Sequence, residues 1–126
     1  MSKAFVFLAM IFCHIFDDYV LQTISPLSLM KQRKWWQEKY PQKLYRFDYV
    51  VAIAIHSLSW AFMVMLPIAG YLHWSVGVWF VCVFALNACF HAIIDHAKAN
   101  LLCINLIGDQ LLHMVQIVLT FIVLMR

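Results

Sequence analysis

Four apolar runs, each long enough to cross a bilayer, constrain this chain more than anything else in its sequence. A transmembrane helix needs ~20 consecutive, mostly apolar residues. Such runs cover about residues 4–24, 49–72, 74–97 and 106–125. Backbone polar groups cannot be left open in hydrocarbon, so a span is either a helix or part of a closed barrel. None of the four runs alternates with a period of two, which argues against barrel strands and predicts helices. The expected fold is all-α, an integral-membrane four-helix bundle forming a single transmembrane domain over residues 1–126. The chain is 65% apolar and 12% charged. Soluble domains are about half apolar and a quarter charged, so a water-soluble core could not absorb this excess.

The one long polar segment joins the first two runs at residues 25–48. It carries six of the nine Lys and Arg residues: Lys31, Arg33, Lys34, Lys39, Lys43 and Arg46. Positive charge collects in cytoplasmic loops, which predicts that this connection is cytoplasmic, with both termini outside. The expected location is the inner (cytoplasmic) membrane of a cell, and the bilayer is the first partner. Trp35 and Trp36 are interleaved with Lys31, Arg33 and Lys34, as in a segment that snorkels among headgroups. No nucleic acid is expected. Within the first run, the stretch from Ala4 to Phe12 is followed by Cys13, His14 and two aspartates rather than a small-x-small cleavage site, so it is expected to stay attached. The four cysteines lack the C-x-x-C spacing of a structural zinc site and read as small apolar filler.

Ionisable residues interrupt these runs in a pattern. Residues four apart share a helix face. His14, Asp17, Asp18 and Gln22 fall within an arc of roughly 140°, and Asn87, His91, Asp95 and Lys98 within roughly 80°. Asp109, His113, Gln116 and Thr120 form a third stripe beside Gln110, and His56 shares a side with Ser59 and Trp60. The chain direction of each span brings these groups to one depth, in the half nearest the basic connection. The pair His-x-x-x-Asp occurs at His14–Asp18 and again at His91–Asp95. Each time the next span supplies one histidine, His56 or His113. Two related helical hairpins would produce this.

An ionised aspartate at mid-membrane costs about 2.5–3.5 kcal/mol on insertion scales. Hydrogen bonds from histidines would offset part of that for Asp18, Asp95 and Asp109. A divalent cation would offset more, since structural zinc sites are worth roughly 10–16 kcal/mol. Imidazole with carboxylate suits zinc first, and iron or manganese. The expected ligands are His14, His91, Asp95 and His113, with an open position for water. Asp18 and Asp109 are the candidate catalytic carboxylates. His56, Gln22, Gln110 and Lys98 are expected to support the ligands from behind. Lys98 also reads as a lysine near the interface.

The motifs "HIFDDYVLQ" at 14–22, "HAIIDHAK" at 91–98 and "DQLLH" at 109–113 together resemble a family of small multi-pass membrane proteins of bacteria and phages. The matching residues are His14, Asp18, Tyr19, Leu21, Gln22, His56, His91, Asp95, Lys98, Asp109, Gln110 and His113. The resemblance implies the fold and this polar pattern, and it lends no activity.

Three functions fit the pattern. One is a metal-dependent hydrolase of a lipid or lipid-linked substrate. A second is a proton or ion channel or transporter that uses the cluster as a relay; with four spans it would have to be a homo-oligomer. A third is a non-catalytic accessory or pore-forming protein. The chain has only Gly70, Gly77 and Gly108, so Gly-rich phosphate cradles are excluded.

Overall fold

The computed structural model describes residues 1–24 and 26–126. Ser25, the first residue of the basic connection, lies outside them. The described residues form six helices and no strand: α1 (Lys3–Ile24), α2 (Leu27–Met30), α3 (Arg33–Lys39), α4 (Asp48–Tyr71), α5 (Val78–Leu101) and α6 (Leu106–Leu124). α1, α4, α5 and α6 are long and apolar enough to cross a membrane. They run up, down, up and down as an all-α four-helix bundle.

Local chemistry sets where the helices start and stop. The Ser2 side chain accepts from the Phe5 N–H at 3.2 Å and caps α1. Asn105 accepts from the Gly108 N–H at 2.9 Å and caps α6. The third span is displaced from its expected bounds of 74–97. His73 and Trp74 take positive φ, 52° and 64°, and left-handed residues end a helix. The Trp74 N–H closes back on the Ala69 carbonyl at 2.9 Å, so the next helix begins only at Val78. At its far end α5 runs on to Leu101 as a π-helical turn, Ala97–Leu101. Leu102, at φ 55°, stops it there.

Polarity is inverted relative to a soluble protein. Phe5, Leu8, Phe12, Ile55, Phe62, Phe90 and Leu119 point outward, while four histidines and three aspartates are buried. The bundle interior divides along its axis. Toward the end that carries the termini it is mostly apolar, built from Val6, Met10, Val64, Ile68, Ile117 and Met125, with one buried polar group in which Gln116 and Thr120 donate to Asn87 Oδ1. Small residues, Ala61 and Ala88, let the helices approach there. Toward the other end the interior is polar. Lys3 Nζ donates to the Met125 carbonyl at 2.5 Å, so both chain ends lie together. The Arg33 N–H donates to Asn100 Oδ1 at 2.7 Å, so the basic connection and the α5–α6 turn lie together at the opposite end.

The basic connection departs from a purely interfacial segment at two residues. Lys31 is only 8% exposed and Trp36 only 9%. Trp36 Nε1–H donates to the Met30 carbonyl at 2.7 Å, and Trp36 packs beside Trp35, Tyr40 and Tyr45. Asn100 fastens the segment twice, through the Arg33 N–H and through the Lys31 carbonyl at 3.0 Å. This turns the Lys31 side chain into the bundle. Arg33 and Lys34 stay on the surface, Lys34 beside Glu38.

Candidate functional site

The polar half of the interior is one continuous cluster with a side chain from every span. α1 supplies His14, Asp17, Asp18 and Gln22. α4 supplies His56, Ser59 and Trp60, α5 supplies His91 and Asp95, and α6 supplies Asp109, Gln110 and His113. Asp17 and Asp18 both point inward because Phe16–Leu21 is a π-helical turn. Its i→i+5 bonding advances each residue by a smaller angle than an α-helix does. The π turn of α5 follows Asp95 just as this one follows His14. Two such turns at one level are unusual in a bundle, and π-bulges are frequent at functional sites.

Trp60 organises the imidazoles. It is fully buried and stacks on His91 with centroids 4.3 Å apart, and His91 stacks on His113 at the same distance. Its Nε1–H donates to His14 Nδ1 at 2.8 Å. His14 Nε2 therefore carries the hydrogen and donates to Gln110 Oε1 at 3.1 Å. The Nδ1 lone pair of His14 is thus taken by Trp60, and His14, expected as a ligand, lies outside both groups of side chains spaced to share an ion. His56, expected behind the ligands, lies at the centre. Its Nε2 stands 3.4 Å from Asp18 Oδ1 and 3.5 Å from Asp95 Oδ2, and its Nδ1 stands 3.4 Å from Asp17 Oδ2.

Two ammoniums enter this layer. Lys31 Nζ donates to Asp95 Oδ2 at 2.6 Å, and Lys98 Nζ to Asp109 Oδ2 at 2.6 Å. Lys31, expected among headgroups, is thus part of the cluster, drawn in by the Asn100 clasp. Lys98 supports Asp109 while keeping part of its length in water. Gln110 Nε2 donates to Asp109 at 3.0 Å and reaches Asp18 at 3.5 Å. Gln22 Nε2–H donates to His56 Nε2 at 3.0 Å. Asp17, given no role from the sequence, accepts from Ser59 Oγ at 2.6 Å. Trp60 and Lys31 were also missed as members of the site.

The histidine pair His91 and His113 stands out from this network, beside single unpartnered oxygens of Asp17 and Asp109. Both are fully buried, and neither ring nitrogen of either residue has a hydrogen-bond partner among the described residues. Each neutral imidazole has one donor and one acceptor to place. Leaving such groups unpaired in a buried interior costs about 1–3 kcal/mol apiece. Their carboxylate neighbours stand too far off or out of line to bond them. His91 Nε2 is 3.7 Å from Asp95 Oδ2, and His113 Nε2 is 3.8 Å from Asp95 Oδ1 and 3.4 Å from Asp109 Oδ1. Two ligands on one ion, with bonds of about 2.1 Å, stand roughly 3.0–3.4 Å apart. His91, Asp95 and His113 each offer an atom within 4.8 Å of the others, as do Asp18, His56 and His91. The donor atoms of either triad would have to draw closer to share an ion.

Charge points the same way. Four aspartates face two lysines, so with neutral imidazoles the cluster retains two negative charges. A low-dielectric interior does not leave those uncompensated.

Fold and cluster define the class: an all-α bundle of four membrane-length helices around a buried His/Asp core. No family model, curated protein or solved structure matches the chain.

Proposed function

We propose that this chain is a small multi-pass membrane protein that holds a divalent cation at His91, Asp95 and His113, and that the loaded site hydrolyses a lipid or lipid-linked substrate. The observation that carries the reading is the pair of buried imidazoles with four unpartnered nitrogens, set 3.7 and 3.8 Å from the two oxygens of the Asp95 carboxylate. One divalent ion would also neutralise the two residual negative charges. Zinc, iron or manganese suits these donors. A cation bound there supplies Lewis acidity and makes a bound water more acidic. Asp109 Oδ1 has no hydrogen-bond partner and lies 3.4 Å from His113 Nε2. It is the carboxylate placed to take a proton there. His14, Trp60 and Gln110 hold the rings in place. The resemblance of the motifs to the phage and bacterial family fits this reading.

Lipid is the substrate class because the cluster sits inside the membrane half that carries the basic connection, at a depth a headgroup can reach. The positive charge of that connection assigns it to the cytoplasmic side of the inner membrane. A transmembrane relay fits less well. Beyond the cluster the buried polar side chains are Asn87, Gln116 and Thr120, hydrogen-bonded to one another and none of them ionisable, among apolar residues such as Val6, Met10, Val64 and Ile68.

Elemental analysis of the detergent-purified chain tests the reading. Zinc, iron or manganese is expected in stoichiometric amount, with a thermal midpoint that falls on chelation and recovers on reloading. Absence of all three metals, with a midpoint indifferent to both chelator and added cation, would overturn it. Hydrolysis is read on phospholipid vesicles, and His113→Ala is expected to abolish it.

A further inference from the structure

We infer that the cleft between α5 and α6 holds one acyl chain of a phospholipid substrate and brings its phosphate to Lys98, at the edge of the cluster. This rests on the proposed hydrolysis of a lipid at His91, Asp95 and His113. It names the substrate class and how the substrate is held.

The cleft has a volume of about 370 Å³, within the range of small-molecule sites. Leu86 and Phe90 wall it on α5, and Leu112, Val115 and Leu119 on α6. These five side chains are between 44% and 57% exposed, and on membrane-length helices that surface meets hydrocarbon. Beneath them Gln116 and Thr120 donate to Asn87 Oδ1 at 2.9 and 3.0 Å. Those bonds tie α6 to α5 and fix their separation at that level. Nothing drives the two helices to close over the cleft, because a lipid chain is as apolar as leucine. Trp79 and Ile94 are the outermost residues lining it on α5, about 22 Å apart along the helix at ~1.5 Å per residue. One leaflet supplies about half of a ~30 Å hydrocarbon core, so the cleft is long enough for a whole acyl chain.

Where the cleft leads separates it from ordinary lipid-covered surface. Ile94 precedes Asp95 in the chain and Leu112 precedes His113, so the cleft ends at the depth of the proposed cation. Residues one turn apart share a helix face. One turn beyond Ile94 on α5 stands Lys98, and one turn before Leu112 on α6 stands Asp109. The two meet at 2.6 Å. An ammonium has three hydrogens to donate. Among the described residues Lys98 Nζ gives one, to Asp109 Oδ2, and its side chain is 38% exposed. The other hydrogens are available to an oxygen of an anion. An apolar cleft that ends on an ammonium matches the two halves of a phospholipid, a hydrocarbon chain and a phosphate. The phosphate then lies beside Asp109, the carboxylate assigned to take a proton. Lys98 is thereby a substrate-binding residue as well as a support for Asp109.

The test uses phosphatidylglycerol with a photoreactive diazirine on one acyl chain, photolysed with the full chain in detergent. Labelling of residues 86–94 and 112–119 is expected to exceed that of Leu8 and Phe12, on the outer face of α1, about tenfold. Unlabelled phosphatidylglycerol should compete for the cleft about ten times better than neutral diacylglycerol. Leu119→Trp and Val115→Phe, which fill the cleft, should each lower the labelling there about tenfold, with gel filtration and cation content unchanged. Equal labelling of α1 and the cleft in the parent overturns the site, because lipid then only coats the bundle. Equal competition by diacylglycerol overturns the contact of the phosphate with Lys98. A dimer that dissociates in Leu119→Trp, with no cleft labelling in the parent, overturns the site in favour of a second copy. The cation reading fails separately: a parent free of metal that still labels in the cleft keeps this site and loses the other.

Discussion

Lys31 and Asp95 meet at 2.6 Å with both side chains at most a tenth exposed. Breaking a buried pair by removing one partner costs about 3–5 kcal/mol, because the other charge is stranded. Lys31→Met should therefore destabilise chelator-treated protein by about that much. Adding Asp95→Asn should recover most of the loss, since no buried charge then remains. Thermal unfolding in micelles reads both; a Lys31→Met midpoint equal to the parent would mean the pair contributes nothing. Trp60 gives a finer measurement. Trp60→Phe keeps an aromatic ring against His91 but removes the donor to His14 Nδ1. A lost hydrogen bond to a buried acceptor costs about 1–3 kcal/mol, whereas Trp60→Ala, which also opens a cavity, should cost about 3–5 kcal/mol. A Trp60→Phe variant as stable as the parent would deny the hydrogen bond a role. Spacing made His14, His56, His91, Asp95 and His113 visible in the sequence, because residues four apart on a span can only share a face. It could not show which lone pairs were already taken. That depends on Trp60 and Gln110, contributed by two other helices.

The four spans were legible for a reason that belongs to the helix as a unit: hydrocarbon leaves the backbone no alternative, so an apolar run of sufficient length names its own structure. What hydropathy could not supply was the ends and the irregular turns. Ser75–Gly77 reads as apolar continuation but is extended, because the left-handed residues His73 and Trp74 have already turned the chain. The two π turns, Phe16–Leu21 and Ala97–Leu101, leave no compositional mark. An ideal 3.6-residue period therefore gave Asp17 no task, although the wider turn directs it onto Ser59 and His56. The basic connection hid its clasp in the same way. Asn100 is an ordinary polar residue until the α5 terminus places it under Lys31 and Arg33. Asn100→Ala should release α2 and α3 from the bundle end while leaving the spans intact. Hydrogen exchange at residues 27–39 is expected to rise at least tenfold, with no change in α4 or α6. Unchanged exchange there would show that Trp36 and Lys31 hold the segment unaided.

Over the molecule as a whole, an even number of spans forces two groups of residues to opposite sides of the membrane. Both chain ends lie together, because Lys3 reaches the Met125 carbonyl. Residues 27–48 and the α5–α6 turn lie together at the other end, because Arg33 reaches Asn100. The excess of Lys and Arg between residues 31 and 46 is what would choose the cytoplasmic end, since translocating that charge is disfavoured. These are separate claims, and one labelling experiment separates them. The native cysteines, three of them exposed on the bundle surface, are first replaced by serine or alanine. Single cysteines are then placed at Ser2 and at Gln42, both exposed. A membrane-impermeant thiol reagent should modify Ser2→Cys in spheroplasts and Gln42→Cys only in inside-out vesicles. The mirror result would reverse the orientation, move the His/Asp cluster to the outer leaflet and direct the search for a substrate to lipids of that side; the bundle would stand. Labelling of both positions from the same side would break the bundle itself, because no antiparallel set of four helices can place Ser2 and Gln42 on one face of a membrane.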